Sequence, residues 1–315
     1  MPQPDRSDVH VDAPLTQISI ASMNQPGSFI AQQVFPRIAV TKESDKYFIF
    51  TKSHIFRSEV EVRGPSSPVK HRGYALSTSN YSANEYATGI LVADRIAQNS
   101  DAPLRPYEDA TNIITHDMLM FIENNWAAEF MVTGTWTTNT TLTGTDQWSD
   151  YANSDPIKNI DDAKFAINGA TGIPTQELSV AMGSAVWNKM KRHPLLLAGF
   201  GGGMPGLKVL TKEIVANILE VKEILVSEAV WNTNVEGNST QTLARIVGKN
   251  CLVFYRPAAP SLMTPSCGYF FSKSVSEIFR YRVDRRRSEA VEISSIFDFK
   301  ATDVDAGYLY INAVA

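Results

Sequence analysis

The chain has 315 residues, 43% of them hydrophobic, enough to bury the core of one large domain or two moderate ones. Its 29 Lys and Arg against 33 Asp and Glu leave a net charge of −4, which argues against a dedicated nucleic-acid binder. Cys251 and Cys267 lack CxxC spacing and read as buried thiols of a reducing compartment, and no run approaches the length of a transmembrane helix.

Residues 1–40 are rich in Pro, Gln and Ser, with apolar anchors at Ile18, Ile20, Phe29, Val34 and Phe35. They read as an extended arm with one short helical turn near Phe29. The opening Met1-Pro2-Gln3-Pro4-Asp5-Arg6 has no apolar signal region, so a protein made and used in a cytoplasm is expected.

Tyr47 to Ile96 reads as exposed β-structure studded with charge. Tyr47 to Thr51 is a β-favouring run, and Arg57 to Arg63 alternates charge with valine as a strand with one wet face would. Gly64-Pro65-Ser66-Ser67-Pro68 is a turn cluster, after which Tyr74 to Tyr86 resumes a polar β pattern. A hairpin this polar is only marginally stable alone, and it reads either as a surface hairpin folded back on its own domain or as an arm ordered against a neighbouring subunit.

Pro106 to Met131 reads as one long amphipathic helix, about 38 Å at 1.5 Å per residue. Pro106 suits its first turn, where Glu108 and Asp109 meet the positive end of the dipole. Ala110, Ile113, Ile114, Met118, Phe121, Ile122, Trp126 and Phe130 recur at helical spacing and predict one apolar stripe, with Glu123 among the polar residues placed elsewhere.

Val132 to Asp155 reads as an irregular loop. Helices and strands alternate after it. A helix is predicted over Asn159–Asn168, a strand over Glu177–Met182, and a helix over Ala185–His193 capped by Ser184 and closed by Pro194. A glycine-rich loop spans Gly199–Gly206, followed by a helix over Lys212–Leu219 and a strand over Glu223–Glu228. Thr242–Tyr255 gives strands around a Gly248-Lys249-Asn250 turn, and Gly268–Phe271 begins another. Long strands return over Phe279–Asp284 and Ala290–Lys300, and Tyr308–Ile311 is expected to close a hairpin after the Asp303–Gly307 turn.

Catalytic constellations do not emerge. The five histidines, His10, His54, His71, His116 and His193, show no zinc-binding spacing. The glycine-rich loop lacks the Lys-Ser or Lys-Thr that a phosphate loop requires, and Gly183-Ser184-Ala185 is not a nucleophile elbow. Asp161 with Asp162, and Asp303 with Asp305, read as helix-start and turn acids. The sequons at Asn139 and Asn238 are discounted without a secretory signal. Arg280, Arg282, Arg285, Arg286 and Arg287 form the strongest basic patch, offset by Asp284, Glu289 and Glu292. It reads as a wet face or inter-subunit ion pairs rather than a direct DNA contact.

The order of motifs over nearly the whole chain resembles the major capsid proteins of tailed bacteriophages, with the Hong Kong ninety-seven type of capsid fold. Phe35-Pro36 followed by Lys46-Tyr47-Phe48 resembles the passage from N-arm to extended loop, and Ala102-Pro103-Leu104 resembles the entry to the spine helix. Trp148-Ser149-Asp150 to Ser154-Asp155-Pro156-Ile157 resembles the start of the axial domain. Gly172-Ile173-Pro174, Val186-Trp187 and His193-Pro194 resemble its interior. Tyr255-Arg256-Pro257 and Thr264 to Tyr269 resemble the return from it. Arg286-Arg287-Ser288 and Asp305 to Leu309 resemble the closing peripheral strands.

The resemblance implies an α+β phage capsid fold: an N-terminal arm over 1–45 and an extended β-hairpin loop over 46–100. It further implies a peripheral domain over 101–155 and 270–315 and an axial α/β domain over 156–269. It implies a non-enzymatic structural subunit, without cofactor, forming pentamers and hexamers of an icosahedral shell around double-stranded DNA. That DNA would be enclosed without sequence-specific binding. Expected partners are other copies of the chain, portal and scaffolding proteins, and in some systems a decoration protein, with no membrane. The expected location is the virion, assembled in the bacterial host cytoplasm. A fused scaffold is expected to be absent or already removed. Some members crosslink subunits through Lys and Asn. Lys46, Lys52 and Lys70 lie near the loop, but no motif marks that chemistry and they read as solvated charges. The candidate inter-subunit contacts are Arg57, Glu59, Glu61, Arg63, Arg72, Arg285, Arg286 and Arg287. The rivals are an encapsulin-like compartment enclosing cargo proteins and, more remotely, an α/β enzyme with its site near the glycine-rich loop.

Overall fold

The computed structural model describes residues 23–50, 52–73, 75–100, 104–199, 209–235, 237, 240–259 and 264–315. The anchors Ile18 and Ile20, the glycine-rich loop beyond Gly199, the sequon at Asn238 and the Ala102-Pro103 motif lie outside them.

The arm carries a helical turn at Pro26–Ser28 and a short helix α1 (Ala31–Val34), as its sequence predicts near Phe29. It then runs into β1 (Arg37–Ala39). Val34 and Phe35 are fully buried. The Phe35 ring lies against Trp126, Phe130, Trp136 and Phe299, and it approaches Gly268 so closely that a Cβ there would come within 2.4 Å of the ring. The arm therefore plugs an aromatic core rather than lying on its surface.

A hairpin follows. β2 (Ser44–Phe50) pairs antiparallel with β3 (Leu76–Ser82), from Ser44 opposite Ser82 to Phe50 opposite Leu76. The segment between them holds one helical turn, α2 (Lys52–Ile55), which sequence patterning misses. No strand forms over Arg57–Arg63, contrary to expectation, although the turn at Pro65–Ser66 is present, with Ser66 at φ +68°. The alternation of valine and charge is there, but no strand among the described residues pairs with it.

β4 (Asn84–Ala93) and the short helix α3 (Asp94–Asn99) lead to the long helix α4 (Pro106–Phe130). Its buried face is Ala110, Ile114, Met118, Ile122, Glu123, Trp126, Ala127 and Phe130. Ile113 and Phe121, expected in the stripe, are 49% and 39% exposed, while Glu123, expected outside it, is buried. The stripe is rotated toward the arm, which occupies that side.

The stretch 132–155 is less irregular than its composition suggests. β5 (Thr138–Thr141) pairs parallel with a C-terminal strand, and Trp136, Leu142 and Trp148 are buried. Its polar Thr-Asn-Thr-Thr run offers no apolar alternation to read. α5 (Pro156–Thr171) is capped by Asp155, whose side chain accepts from the Lys158 N–H at 3.0 Å, and ends at Gly172 with φ +70°. β6 (Ser179–Gly183) is wholly buried.

α6 (Ser184–Met190) begins without the predicted serine cap, since Ser184 Oγ instead meets Arg245. Pro194 opens α7 (Pro194–Gly199) rather than only ending a helix. There follow α8 (Lys212–Ile218), β7 (Ile224–Ser227), β8 (Val230–Asn232), β9 (Leu243–Arg245) and β10 (Cys251–Phe254). The predicted strands at Gly268 and Phe279 are one bulged strand, β11 (Gly268–Val283), antiparallel to β12 (Ser288–Ala301).

The last strand, β13 (Gly307–Ile311), does not close a hairpin with β12. It joins β10 and β5 in a five-stranded sheet of order β5-β13-β10-β6-β7. The second large sheet is four-stranded, β1-β11-β12-β4, with α4 against it. Residues 307–311 thus pair with β10 and β5 rather than with the long strands β11 and β12.

Candidate assembly surface

The hairpin root is held on its own subunit by aromatic stacking, ion pairing and packing. Tyr47 and Tyr81 stack on Phe271, with ring centroids 5.5 and 4.8 Å apart. Lys52 Nζ, on α2, reaches Asp303 Oδ1 at 2.7 Å and Asp305 Oδ2 at 2.6 Å. Burial opposes the Lys52 charge, but the two carboxylates outweigh it and its pKa is raised, while Lys52 and Thr137 lower that of Asp305. Phe56 packs over Gly172, where an added Cβ would lie 3.0 Å from its ring. None of these roles is signalled by the sequence, because a lone Lys in an exposed segment carries no pattern.

Beyond the root, the polar contacts of the loop among the described residues are with itself. Arg57 Nε lies 3.1 Å from Glu59, and Lys70 Nζ lies 2.9 Å from Glu61. Arg63 donates to Ser67 O at 2.5 Å, and Arg72 donates to Arg57 O at 2.7 Å, closing the ring. All five predicted loop residues are thus brought together, but by contacts on a wet surface that contribute little stability. Val60 and Val62 stand 92% and 103% exposed. The hollow of about 730 Å³ that the loop encloses is walled by Ile55–Arg72 alone, so it is the inside of a loop rather than a ligand pocket.

Arg285, Arg286 and Arg287 sit together at the exposed β11–β12 turn, far from the loop in sequence, with Arg287 at φ +45°. Among the described residues they form no ion pair. Arg280 and Arg282 behind them are paired, with Glu289 and with Asp94 and Asp284.

Glu123 is the buried acid that sequence reading misplaces. Oε2 accepts from the Ile30 and Ala31 N–H groups at 2.9 and 2.8 Å, and Oε1 accepts from Ser227 Oγ at 2.8 Å. Burial raises its pKa against those three donors. The arm, the long helix and β7 are joined at one carboxylate.

Enzymatic arrangements find no support. Ser154 Oγ donates to Asp150 O at 2.6 Å, so His193 Nε2, 3.1 Å away, serves Ser154 as a donor. His193 Nδ1 accepts from the Leu195 N–H, and burial lowers the pKa of the ring. The pair is a structural link, not an activated nucleophile. Burial pushes both cysteine thiols far up, which leaves them unreactive. Among the described residues no cluster of His, Cys, Asp and Glu could hold a metal, and no helix is long and apolar enough to cross a membrane.

No protein-family model matches the chain. It is 25% identical over 319 residues to the major capsid protein of Pseudomonas phage JBD67, covering 97% of each chain. Its fold superposes on the capsid structure of cyanophage P-SCSP1u with a TM-score of 0.66 at 10% identity, covering 97% of this chain and 93% of that one. The chain has the phage capsid fold of the Hong Kong ninety-seven type. A phage-related protein of Bordetella bronchiseptica shares that fold with a TM-score of 0.71 at 20% identity, covering 92% and 93%.

Proposed function

We propose that the protein is a major capsid protein, a structural subunit that assembles with copies of itself into a phage shell. The observation that carries this reading is similarity from end to end, 97% of both chains, to a phage protein of that role. A fold that leaves a charged loop without a core of its own agrees with it. The role is structural rather than enzymatic, and the protein's place is the virion.

The finer reading is pentamers and hexamers closing an icosahedral shell around double-stranded DNA in the host cytoplasm. Portal and scaffolding proteins, with or without a decoration protein, would be partners. Closed symmetry multiplies modest contacts, so no single interface needs to be strong. Arg57, Glu59, Glu61, Arg63 and Arg72 would meet one neighbour through the loop, and Arg285, Arg286 and Arg287 another through the β11–β12 turn. The division proposed is arm 1–45, loop 46–100, peripheral unit 101–155 with 270–315, and axial unit 156–269, with β5 and β13 pairing into the five-stranded sheet that also holds β10, β6 and β7. An encapsulin-like compartment is not favoured, because the curated relative is a phage protein.

Deleting residues 57–72 tests the loop's part in this. The truncated subunit should keep its folded circular dichroism and melting temperature while shells disappear from sedimentation profiles. Normal shells from the truncated chain would remove the loop from the assembly account.

A further inference from the structure

β1 covers the outer edge of β11 only from Phe270 to Ser272. Past the bulge, where Ser276 takes φ +53°, β11 pairs among the described residues on one side alone, with β12 from Glu277 opposite Ser294 to Val283 opposite Ser288. Its other side is an open row of N–H and C=O groups, a template for a further strand. Exposed edges are usually blunted with Lys or Pro. This one carries Ile278, Phe279 and Tyr281, which are 46%, 51% and 48% exposed.

The two faces of that edge differ. Arg280 lies over the Tyr107 ring of α4 at 3.8 Å and pairs with Glu289, so Arg280 and Arg282 face the helix side. Tyr281 donates to Glu292 at 2.5 Å on the opposite face, which it shares with Phe279. The extended loop alternates in the complementary sense, Glu59-Val60-Glu61-Val62, and forms no strand of its own.

We infer that residues 59–62 of one subunit's extended loop add as a strand to the free edge of β11 in a second copy, setting Glu59 and Glu61 beside Arg280 and Arg282 and Val60 and Val62 beside Phe279 and Tyr281. The inference rests on the assembly reading above and names the surface that the loop meets. Residues opposite one another in a β pair share a face, so Glu61 opposite Arg280 in an antiparallel pairing, or opposite Arg282 in a parallel one, matches the charges and sets the valines on the Phe279–Tyr281 face, whereas a one-residue slip sets valines against arginines. Within one subunit no hydrogen bond, ion pair or ring contact among the described residues joins 57–73 to 277–283, and the root is held elsewhere by Lys52 and Tyr47. The Glu61 pair with Lys70 is exposed on both sides, and the Glu59 pair is exposed on its Arg57 side, so both are of little net worth and yield to a neighbour.

The test uses the full chain under conditions in which the wild type forms shells. If the wild type forms none, the assembly reading itself fails. Glu59→Arg with Glu61→Arg should reduce shell yield roughly tenfold or more, because like charges would then face each other, while the unassembled subunit melts as wild type. Combining this pair with Arg280→Glu and Arg282→Glu should restore shells. Because Arg282 also holds Asp94, a second measurement stands apart from the folding of that variant. Glu61→Cys should crosslink between subunits on oxidation of intact shells with either Arg280→Cys or Arg282→Cys, the partner reporting strand direction. Shells at wild-type yield from Glu59→Arg with Glu61→Arg, or no crosslink with either cysteine partner, would overturn the inference while leaving the assembly reading in place.

Discussion

Glu123 has no exposed surface, yet it sits in a helix whose polar residues otherwise face outward. Replacing it with Ala strands the Ile30 and Ala31 N–H groups and the Ser227 hydroxyl, and should cost roughly 2–4 kcal/mol by chemical denaturation. Gln should be nearly neutral at pH 7. One amide oxygen can keep both N–H groups, the amide NH₂ can donate to Ser227, and a penalised buried charge is removed. The pH dependence has a defined sign. With its folded-state pKa raised above 4.5, Glu123 binds a proton more readily folded than unfolded. Wild-type stability should therefore gain on the Gln variant as pH falls from that raised value to about 4.5, and be level with pH below it. A Gln variant as unstable as the Ala variant would show that the charge itself is required. Single-sequence reading places this Glu outside the stripe because a glutamate among apolar residues reads as solvated. The arm that covers it lies 92 residues away in the chain.

At the scale of elements, the long helix and most strands are legible because their signals are local: Pro106 at the start, apolar spacing through Phe130, and glycines at the turns. β5 and the β13 pairing are not, since a four-residue polar edge strand and a strand's choice of sheet depend on distant partners. The missing strand at Arg57–Arg63 is a different failure. The period-two pattern is real, and no described strand of the same subunit pairs with it. Two glycines separate local from tertiary constraint. A Cβ at Gly183 would fall 2.0 Å from the Gly248 carbonyl oxygen, which is backbone and cannot swing aside. Gly183→Ala should destabilise by at least about 2 kcal/mol. Gly169, within α5 and with nothing inside 4 Å, should be stabilised by Ala, by about 0.5–1 kcal/mol. Thermal melts of the unassembled subunit check both, and equal effects would contradict the packing of β6 against the Gly248 turn.

At the scale of the molecule, a core that joins arm, spine helix and both sheets carries a loop with almost no core of its own and a sheet edge left half covered. These are the features of a part rather than of a finished object. The charge of the polar loop and the clustering of the arginines at the β11–β12 turn are legible in the sequence. What each of these residues meets is not, because a charge pattern does not name the surface opposite it. Electron microscopy of the purified full-length protein under assembly conditions tests the central claim most directly. The account predicts closed icosahedral shells built of pentamers and hexamers, with density for residues 57–72 lying on an adjacent subunit. A protein that stays monomeric, or shells in which that segment lies on its own subunit alone, would contradict it.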